Sequence, residues 1–391
     1  MKKILLLTIL IAGLVSCRND REQYKGEIVG KKDANFENVI RKGQPKTLAE
    51  IYYEHGNFIN SKQFPPIVKP TDVLENGKDW LLIDIRSADA YEAGHINGAY
   101  NVPKNKVLDF LTKEHKAAAY PKVVFICYSG QMASYVTGLT RYAGFDNTYV
   151  MLYGMASWNS QFSGILKKGF GDRYPDMIVH ATDKAETIPT EQEEEPLAHK
   201  GIDLSKLPKL PAKLPTLLIK DRAQALLQQS RPAFLLKSDE FFPDYKKNLG
   251  KYQPIFYLSK NKFYVAHIKG AEFYQSRKDL SLNTKLTSLP TDKEIVVYCK
   301  TGHTGGNATA YLDMLGYKAK NLMFGASSFM YNLWKQKEWM PDVSSIVNDF
   351  PVVEGKKRTN NKIVAAAPKK TGAPGKPIVK HKKKEVSGGC G

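Results

Sequence analysis

Cysteine is scarce in this chain: four residues among 391, at Cys17, Cys127, Cys299 and Cys390. Disulfide frameworks belong to short, cysteine-dense chains, so a stapled scaffold is excluded. The sequence also lacks clustered Cys/His spacing for a metal, a Gly-x-Gly-x-x-Gly turn and a P-loop, so no metal and no cofactor is expected. Past residue 20 no apolar run is long enough to span a bilayer. Acidic residues fall short of basic ones, 39 against 58, for a formal charge of +19. Much of that excess sits at one end: from Gly355 to Gly391 there are eleven Lys or Arg and a single acid, Glu385. A basic tail commonly marks a nucleic-acid binder. The N-terminus argues otherwise, and nucleic acid is not an expected partner.

That N-terminus reads Met1-Lys2-Lys3, an almost wholly apolar stretch from Ile4 to Val15, then Ser16-Cys17. A basic start before roughly 7–15 apolar residues is the pattern of a secretory signal, too short to span a membrane. The ending Leu14-Val15-Ser16-Cys17 resembles the lipobox of bacterial lipoproteins. The resemblance implies lipidation of Cys17 and an exported protein, lipid-anchored to a bacterial membrane and facing the periplasm. An ordinary signal peptide with an incidental cysteine is the alternative. Several acyl chains exceed the roughly two-signal threshold for stable attachment.

An internal repeat sets the organisation. His95-Ile96-Asn97-Gly98-Ala99 starts 32 residues before Cys127, and His267-Ile268-Lys269-Gly270-Ala271 starts 32 before Cys299. Gly144-Phe145 and Gly316-Tyr317 each lie 17 residues after their cysteine, and Gly154…Trp158 recurs as Gly325…Phe329. The chain therefore holds two copies of one fold. Apolar runs at 80–85 and 123–126 suit buried strands, 133–142 suits a helix, and 148–152 a third strand. Copy two repeats this at 295–298, about 307–315 and 319–323. Strand, loop, helix, strand predicts an α/β fold with a parallel sheet flanked by helices. The expected divisions are a signal segment 1–17, a polar stalk with a helical extension 18–60, and a first domain 61–183. An extended, solvated linker 184–213 follows, then a second domain 214–350 and a disordered basic tail 351–391.

Each copy places a cysteine at the first position of a loop between a buried strand and a helix N-terminus. Such a loop aims several backbone N–H groups, and the positive end of the helix dipole, at one point. That surrounding favours the nucleophilic thiolate. Lowering a cysteine from about 8.5 to about 6.5 takes about 2.7 kcal/mol, within the combined reach of amides and dipole. Loop one runs Cys127, Tyr128, Ser129, Gly130, Gln131, Met132; loop two runs Cys299, Lys300, Thr301, Gly302, His303, Thr304. Gly130 and Gly302 let the loops curl through positive φ. Neither loop carries the arginine that a phosphatase uses to grip phosphate.

These residues, with Asp84-Ile85-Arg86, Tyr91–Ala99 and Asn101-Val102-Pro103, resemble the rhodanese family of sulfurtransferases. The resemblance covers about two-thirds of the chain. It implies two rhodanese-like domains, an enzyme of thiosulfate sulfurtransferase type, and persulfides on Cys127 and Cys299 as intermediates. Copy two departs from it: Leu235-Leu236-Lys237-Ser238 stands where Asp-Ile-Arg is expected, Ala266 replaces a glycine, and Phe329 replaces Trp158. Lys300 and His303 make Cys299 the expected thiosulfate-reactive thiol, whereas the neutral Tyr128, Ser129 and Gln131 suit an acceptor or relay. An inactive scaffold role for one copy is the alternative. His95 and His267 read as hydrogen-bonded structural groups, and Asp84 with Arg86 as an ion pair, rather than as catalysts.

The ending Ser387-Gly388-Gly389-Cys390-Gly391 resembles the Gly-Gly-Cys swinging arm of carriers in bacterial sulfur oxidation. Small residues let the thiol thread a narrow mouth, and a coil from Gly355 to Cys390 spans roughly 30–35 Å. Such a tether gives effective concentrations on the order of mM near either loop. The alternative is a solvated basic tail that touches anionic headgroups and happens to end in cysteine. The expected reaction moves sulfane sulfur from a small donor anion through a cysteine persulfide to a thiol or cyanide acceptor. Cys390 is the expected onward carrier to a relay partner. A non-catalytic sulfur-binding scaffold and a thiol-redox protein cycling Cys127, Cys299 and Cys390 are the rival classes.

Overall fold

The computed structural model describes residues 47–54, 56–180, 203–208, 210, 217–229 and 233–356. Cys17, Cys390, the signal segment and most of the basic tail lie outside the described residues.

Two five-stranded sheets, each wholly parallel, carry the two copies. Copy one contributes β1 (Ile67–Val68), β2 (Leu81–Asp84), β3 (Tyr100–Asn101), β4 (Val123–Ile126) and β5 (Thr148–Met151), in the order β1-β5-β4-β2-β3. A segment β6 (Ile178–His180) follows. Copy two contributes β7 (Leu235–Leu236), β8 (Tyr252–Leu258), β9 (Ala266–Ile268), β10 (Glu272–Gln275), β11 (Glu294–Tyr298) and β12 (Ala319–Leu322). Its sheet runs β7-β12-β11-β8-β10, the same order strand for strand. The central strands read Val-Val-Phe-Ile and Glu-Ile-Val-Val-Tyr and are buried almost throughout. Parallel strands covered on both faces require such unbroken apolar runs.

Side-chain alternation then sorts the core. Ile83 and Phe125 of copy one, with Ile255 and Val297 of copy two, face one shared interior cluster. Leu82, Val124 and Ile126 face an outer cluster closed by Trp158, and Phe256, Val296 and Tyr298 face another containing Phe329. Among the helices that bear on the shared interior are α1 (Leu48–Glu54), α2 (Gln131–Tyr142), α3 (Leu217–Gln228) and α4 (His303–Leu315). α2 and α4 pack against each other so tightly that a Cβ on Gly138 would stand 2.6 Å from Ala310 Cβ. Tyr135 on α2 also donates to Asp313 Oδ2 at 2.7 Å and stacks on Phe234. The copies thus share one interior.

Four expectations are corrected here. Residues 47–60 hold the expected helical extension, as a helix over Leu48–Glu54, but are no polar stalk: Leu48, Ile51, Tyr52 and Ile59 are buried in the shared interior. The end of the expected solvated linker also packs inward, with Leu207 buried and Leu210 seated against Gly316. Residues 351–356 are not loose tail. Pro351 accepts from Trp158 Nε1 at 2.8 Å, and His95 and Val353 exchange two backbone bonds of 2.9 Å. Finally, Leu235-Leu236 is the counterpart of β1, not of Asp84-Ile85-Arg86. The partner registers place Asp84 beside Ile126 and Phe256 beside Tyr298, each next to the residue preceding its cysteine. Copy two has therefore replaced the Asp84–Arg86 pair with Phe256 and Leu258.

Each copy also pairs its trailing segment with the other. β6, which trails from copy one, pairs antiparallel with β9, setting Val179 opposite His267. The segment trailing from copy two returns to copy one and sets Val353 opposite His95. The extensions are exchanged.

Candidate active site

Cys127 and Cys299 follow directly on the carboxyl ends of β4 and β11, where open parallel sheets hold their ligands. Each loop turns through a left-handed glycine, Gly130 at φ 81° and Gly302 at φ 82°, which is the N-cap of α2 or α4. Gly130 and Ala133 donate N–H to Cys127 Sγ at 3.2 and 3.4 Å. Gly302 and Gly305 donate to Cys299 Sγ at 3.2 and 3.3 Å. The amides converge on both sulfurs, as the loop chemistry predicts, and both cysteines are buried and outside any disulfide.

Burial carries a cost that the sequence argument omitted. It pushes the Cys127 thiol up, and the N–H groups of Ala133, Ser129 and Gly130 only oppose that rise. The Asp84 carboxylate adds to it. The expected lowering of Cys127 is therefore corrected: desolvation outweighs the donors while the sulfur is a thiol sealed from water. The cradle remains a place where a negative sulfur finds donors.

A second loop braces each first loop from below. Met155 and Ala156 donate N–H to the carbonyls of Cys127 and Tyr128, both at 2.9 Å. Ala326 and Ser327 do the same for Cys299 and Lys300 at 2.8 and 3.1 Å. Close approach at Gly154 and Gly325 makes this bracing fit, because a Cβ on either would overlap the cysteine carbonyl oxygen. The residues before them, Tyr153 and Phe324, hold φ of 58° and 62° despite their bulk. Sequence reading found Gly154 and Gly325 only as repeat markers; their near-constant distance from the cysteines was the available signal.

The remaining site residues divide. Tyr128 is exposed, with its hydroxyl 3.4 Å from Ser87 Oγ, and Lys300 is half-buried at the rim. Ser129, Thr301 and Thr304 are buried, and Met132 is partly so. His303 is the main correction. It is fully buried; burial, reinforced by the Lys300 ammonium, pushes its pKa down to about 3. Its Nε2 accepts the Tyr153 N–H at 2.9 Å, so the ring proton is on Nδ1, 3.0 Å from Thr301 Oγ1. An uncharged ring with both nitrogens engaged attracts no anion. Gln131 is likewise buried and reaches into copy two, donating to the Thr301 carbonyl at 2.9 Å.

His95 and His267 behave as structural groups. Each Nδ1 lies 2.9 Å from a carbonyl four residues back, Tyr91 or Phe263, and each ring stacks on that residue's ring. Asp84 and Arg86 form a buried ion pair at 2.6 Å, and Arg86 also donates to the Gly94 carbonyl at 2.7 Å. Among the described residues no three His, Cys, Asp or Glu side chains converge as metal ligands. No helix among them is long and apolar enough to cross a membrane.

Comparison with known proteins accords with this geometry. The rhodanese-like domain model matches residues 70–161 and again 244–331. Over 89 residues the chain is 33% identical to thiosulfate sulfurtransferase GlpE of Pseudomonas entomophila, covering 79% of that protein and 23% of this chain. The chain belongs to the rhodanese-like family. It is also 33% identical over 88 residues to an uncharacterised protein of Buchnera aphidicola, spanning 59% of that protein and 22% of this chain. A thiosulfate sulfurtransferase structure from Pseudomonas aeruginosa aligns at 14% identity and a TM-score of 0.23, over 80% of this chain and 70% of that one. A likeness so slight carries no argument. The rhodanese-like domains are two, and they correspond to the two parallel sheets.

Proposed function

We propose that this protein is a sulfurtransferase that carries sulfane sulfur as a cysteine persulfide on Cys127 and Cys299. The observation that carries the reading is the pair of buried sulfurs, each met by two backbone N–H groups where a strand turns into a helix. A thiolate attacks the outer sulfur of thiosulfate, the S–S bond of the donor breaks, and sulfite leaves with its electron pair. The new Cys–S–S⁻ carries its charge one atom beyond the thiol, among the loop amides. A nucleophilic acceptor, thiol or cyanide, then takes the terminal sulfur and restores the cysteine thiolate. The thiol proton leaves to water before the attack, and no net oxidation is needed.

Cys299 is the proposed thiosulfate-reactive thiol, on grounds that differ from those of the sequence. His303 offers no charge, which leaves Lys300 as the rim cation. Beneath Cys299 stands Phe256, so the position that holds a carboxylate opposing the sulfur in copy one holds an apolar ring in copy two. Cys127, over Asp84, suits the relay. Cys390 is the proposed onward carrier to a partner, and Cys17 the proposed lipid attachment that holds the protein at a bacterial membrane.

Intact mass after incubation with thiosulfate tests the reading. Gain of one sulfur on Cys127 or Cys299, removed by cyanide with thiocyanate released, is the expected result. An unmodified protein indicates a scaffold, and loss of two hydrogens between two cysteines indicates redox exchange. Replacing Cys390 with Ser should stop delivery to a protein acceptor while sparing turnover with cyanide.

A further inference from the structure

The geometry points to sulfur sites that are each shaped from across the domain boundary: His303 is a positioning residue for Cys127, and Gln131 is one for Cys299. The inference rests on the persulfide reading above, which gives the two thiols their function.

His303 and Gln131 are counterparts, each the fourth residue after its own cysteine and the first of its helix. Each crosses to the other copy. His303 Nε2 accepts from Tyr153 N–H, which immediately precedes the glycine under the Cys127 carbonyl. The same ring covers Gly130, whose N–H points at Cys127 Sγ, so closely that a Cβ on Gly130 would overlap Nε2. Gln131 mirrors this. Its Nε2 donates to the Thr301 carbonyl at 2.9 Å, and its Oε1 lies 3.4 Å from Phe324 N–H, the counterpart of Tyr153. It covers Gly302, whose Cβ would overlap Oε1, and Gly302 donates to Cys299 Sγ. Each thiol thus depends on two features set by the opposite copy: the backbone bend that supplies a donor, and the brace that fixes the cysteine carbonyl.

Losing the ring's acceptor takes from the buried Tyr153 N–H the hydrogen bond it makes to His303. Replacing that bond moves the brace under Cys127. A packing role alone predicts something else, namely that any side chain of similar volume will serve. The polar contact and the volume are separable by substitution.

The experiment silences one thiol and reads the other. In a Cys299→Ala protein, His303 is replaced by Gln, which keeps an acceptor, or by Leu, which keeps only bulk. Cys127 is then followed by its alkylation rate with iodoacetamide across pH and by sulfur loading from a small-molecule persulfide, the class of donor a relay thiol meets. His303→Leu should slow both about tenfold or more, with His303→Gln within about threefold of the parent. The mirror experiment, Gln131→Leu in a Cys127→Ala protein, should slow Cys299 similarly. Unchanged Cys127 chemistry in a folded His303→Leu protein overturns the inference, as does equal slowing by Leu and Gln. If His303→Leu does not fold, His303→Asn, whose amide falls short of Tyr153, takes its place against His303→Gln. Alkylation needs no sulfur transfer, so the two proposals fail separately. A parent that takes no sulfur but whose alkylation responds to His303→Leu loses the enzyme reading and keeps this one.

Discussion

Acid should weaken the protein through His303, and the size of the effect follows from where the ring sits. An imidazole in the unfolded chain titrates near 6.5, whereas burial in the folded protein takes His303 down to about 3. A folded value below the unfolded one means the neutral ring's contribution is complete above pH 6.5 and drains away as pH falls toward 3. Over the full gap this is on the order of 4–5 kcal/mol, with a slope approaching about 1.4 kcal/mol per pH unit. Other groups move with or against it. His95 and His267, pushed down by burial, act in the same direction. Asp313 opposes them: its residue surface is partly open, but desolvation around the carboxyl pushes it from 3.8 up to about 7. Its protonated form therefore adds stability as pH drops through that window. The total slope is a sum, so the informative quantity is a difference. Urea unfolding of the parent and of His303→Gln, from about pH 7 to about pH 4, isolates the ring. The parent's advantage should shrink by about 3 kcal/mol between pH 6.5 and pH 4. A difference that stays constant across the range would show that the ring is solvated or already charged, and the geometry argued for Tyr153 would then be wrong.

Asp84→Ala should cost about 3–5 kcal/mol, because Arg86 is left buried and charged with no counter-charge from Asp84. Asp84→Phe with Arg86→Leu, the residues of copy two, should recover a large part of that in a double-mutant cycle of unfolding energies. Additive losses would refute the equivalence drawn between β2 and β8. Gly154→Ala should destabilise by roughly 1–3 kcal/mol from backbone strain alone, and should also alter Cys127 alkylation, since the new Cβ meets the cysteine carbonyl. A melting temperature and alkylation rate equal to the parent's would dismiss the bracing role. Val352→Ala should cost about 1 kcal/mol by opening the outer cluster that Trp158 closes, against which Val352 packs. Unaltered thermal stability is what a loose tail predicts, and would reverse the correction made for that segment.

The central strands and the loop cysteines were legible because their physics is local. A fully buried parallel strand has to be an unbroken apolar run, and Val123–Ile126 announces itself. β8 did not, because Pro254 interrupts a run that reads Tyr-Gln-Pro-Ile-Phe-Tyr-Leu, although it lies between two partner strands. Helix starts were read late, at 133 and about 307, because glycines at 305 and 306 depress helix propensity. Their purpose is non-local: Gly306 lies against Ser134 of the other copy, and Gly305 against Asn321. The charge on His303 was misjudged for the same kind of reason. Composition shows an imidazole beside a lysine, while only packing shows that the ring is sealed between two domains. Leu48, Ile51 and Tyr52 were obscured by interleaved charges such as Glu50 and Glu54. Their spacing on one helical face was a signal that low apolar content concealed.

The exchanged extensions impose an order on biosynthesis. A ribosome releases copy one long before residues 348–355 exist, so the nascent first half waits with His95 and the Trp158 indole lacking their eventual partners. The second half, by contrast, finds β6 already made when its own His267 emerges. Completion of the earlier module is deferred until the segment that pairs with His95 has been synthesised, which leaves a half-finished intermediate open to misfolding in the meantime.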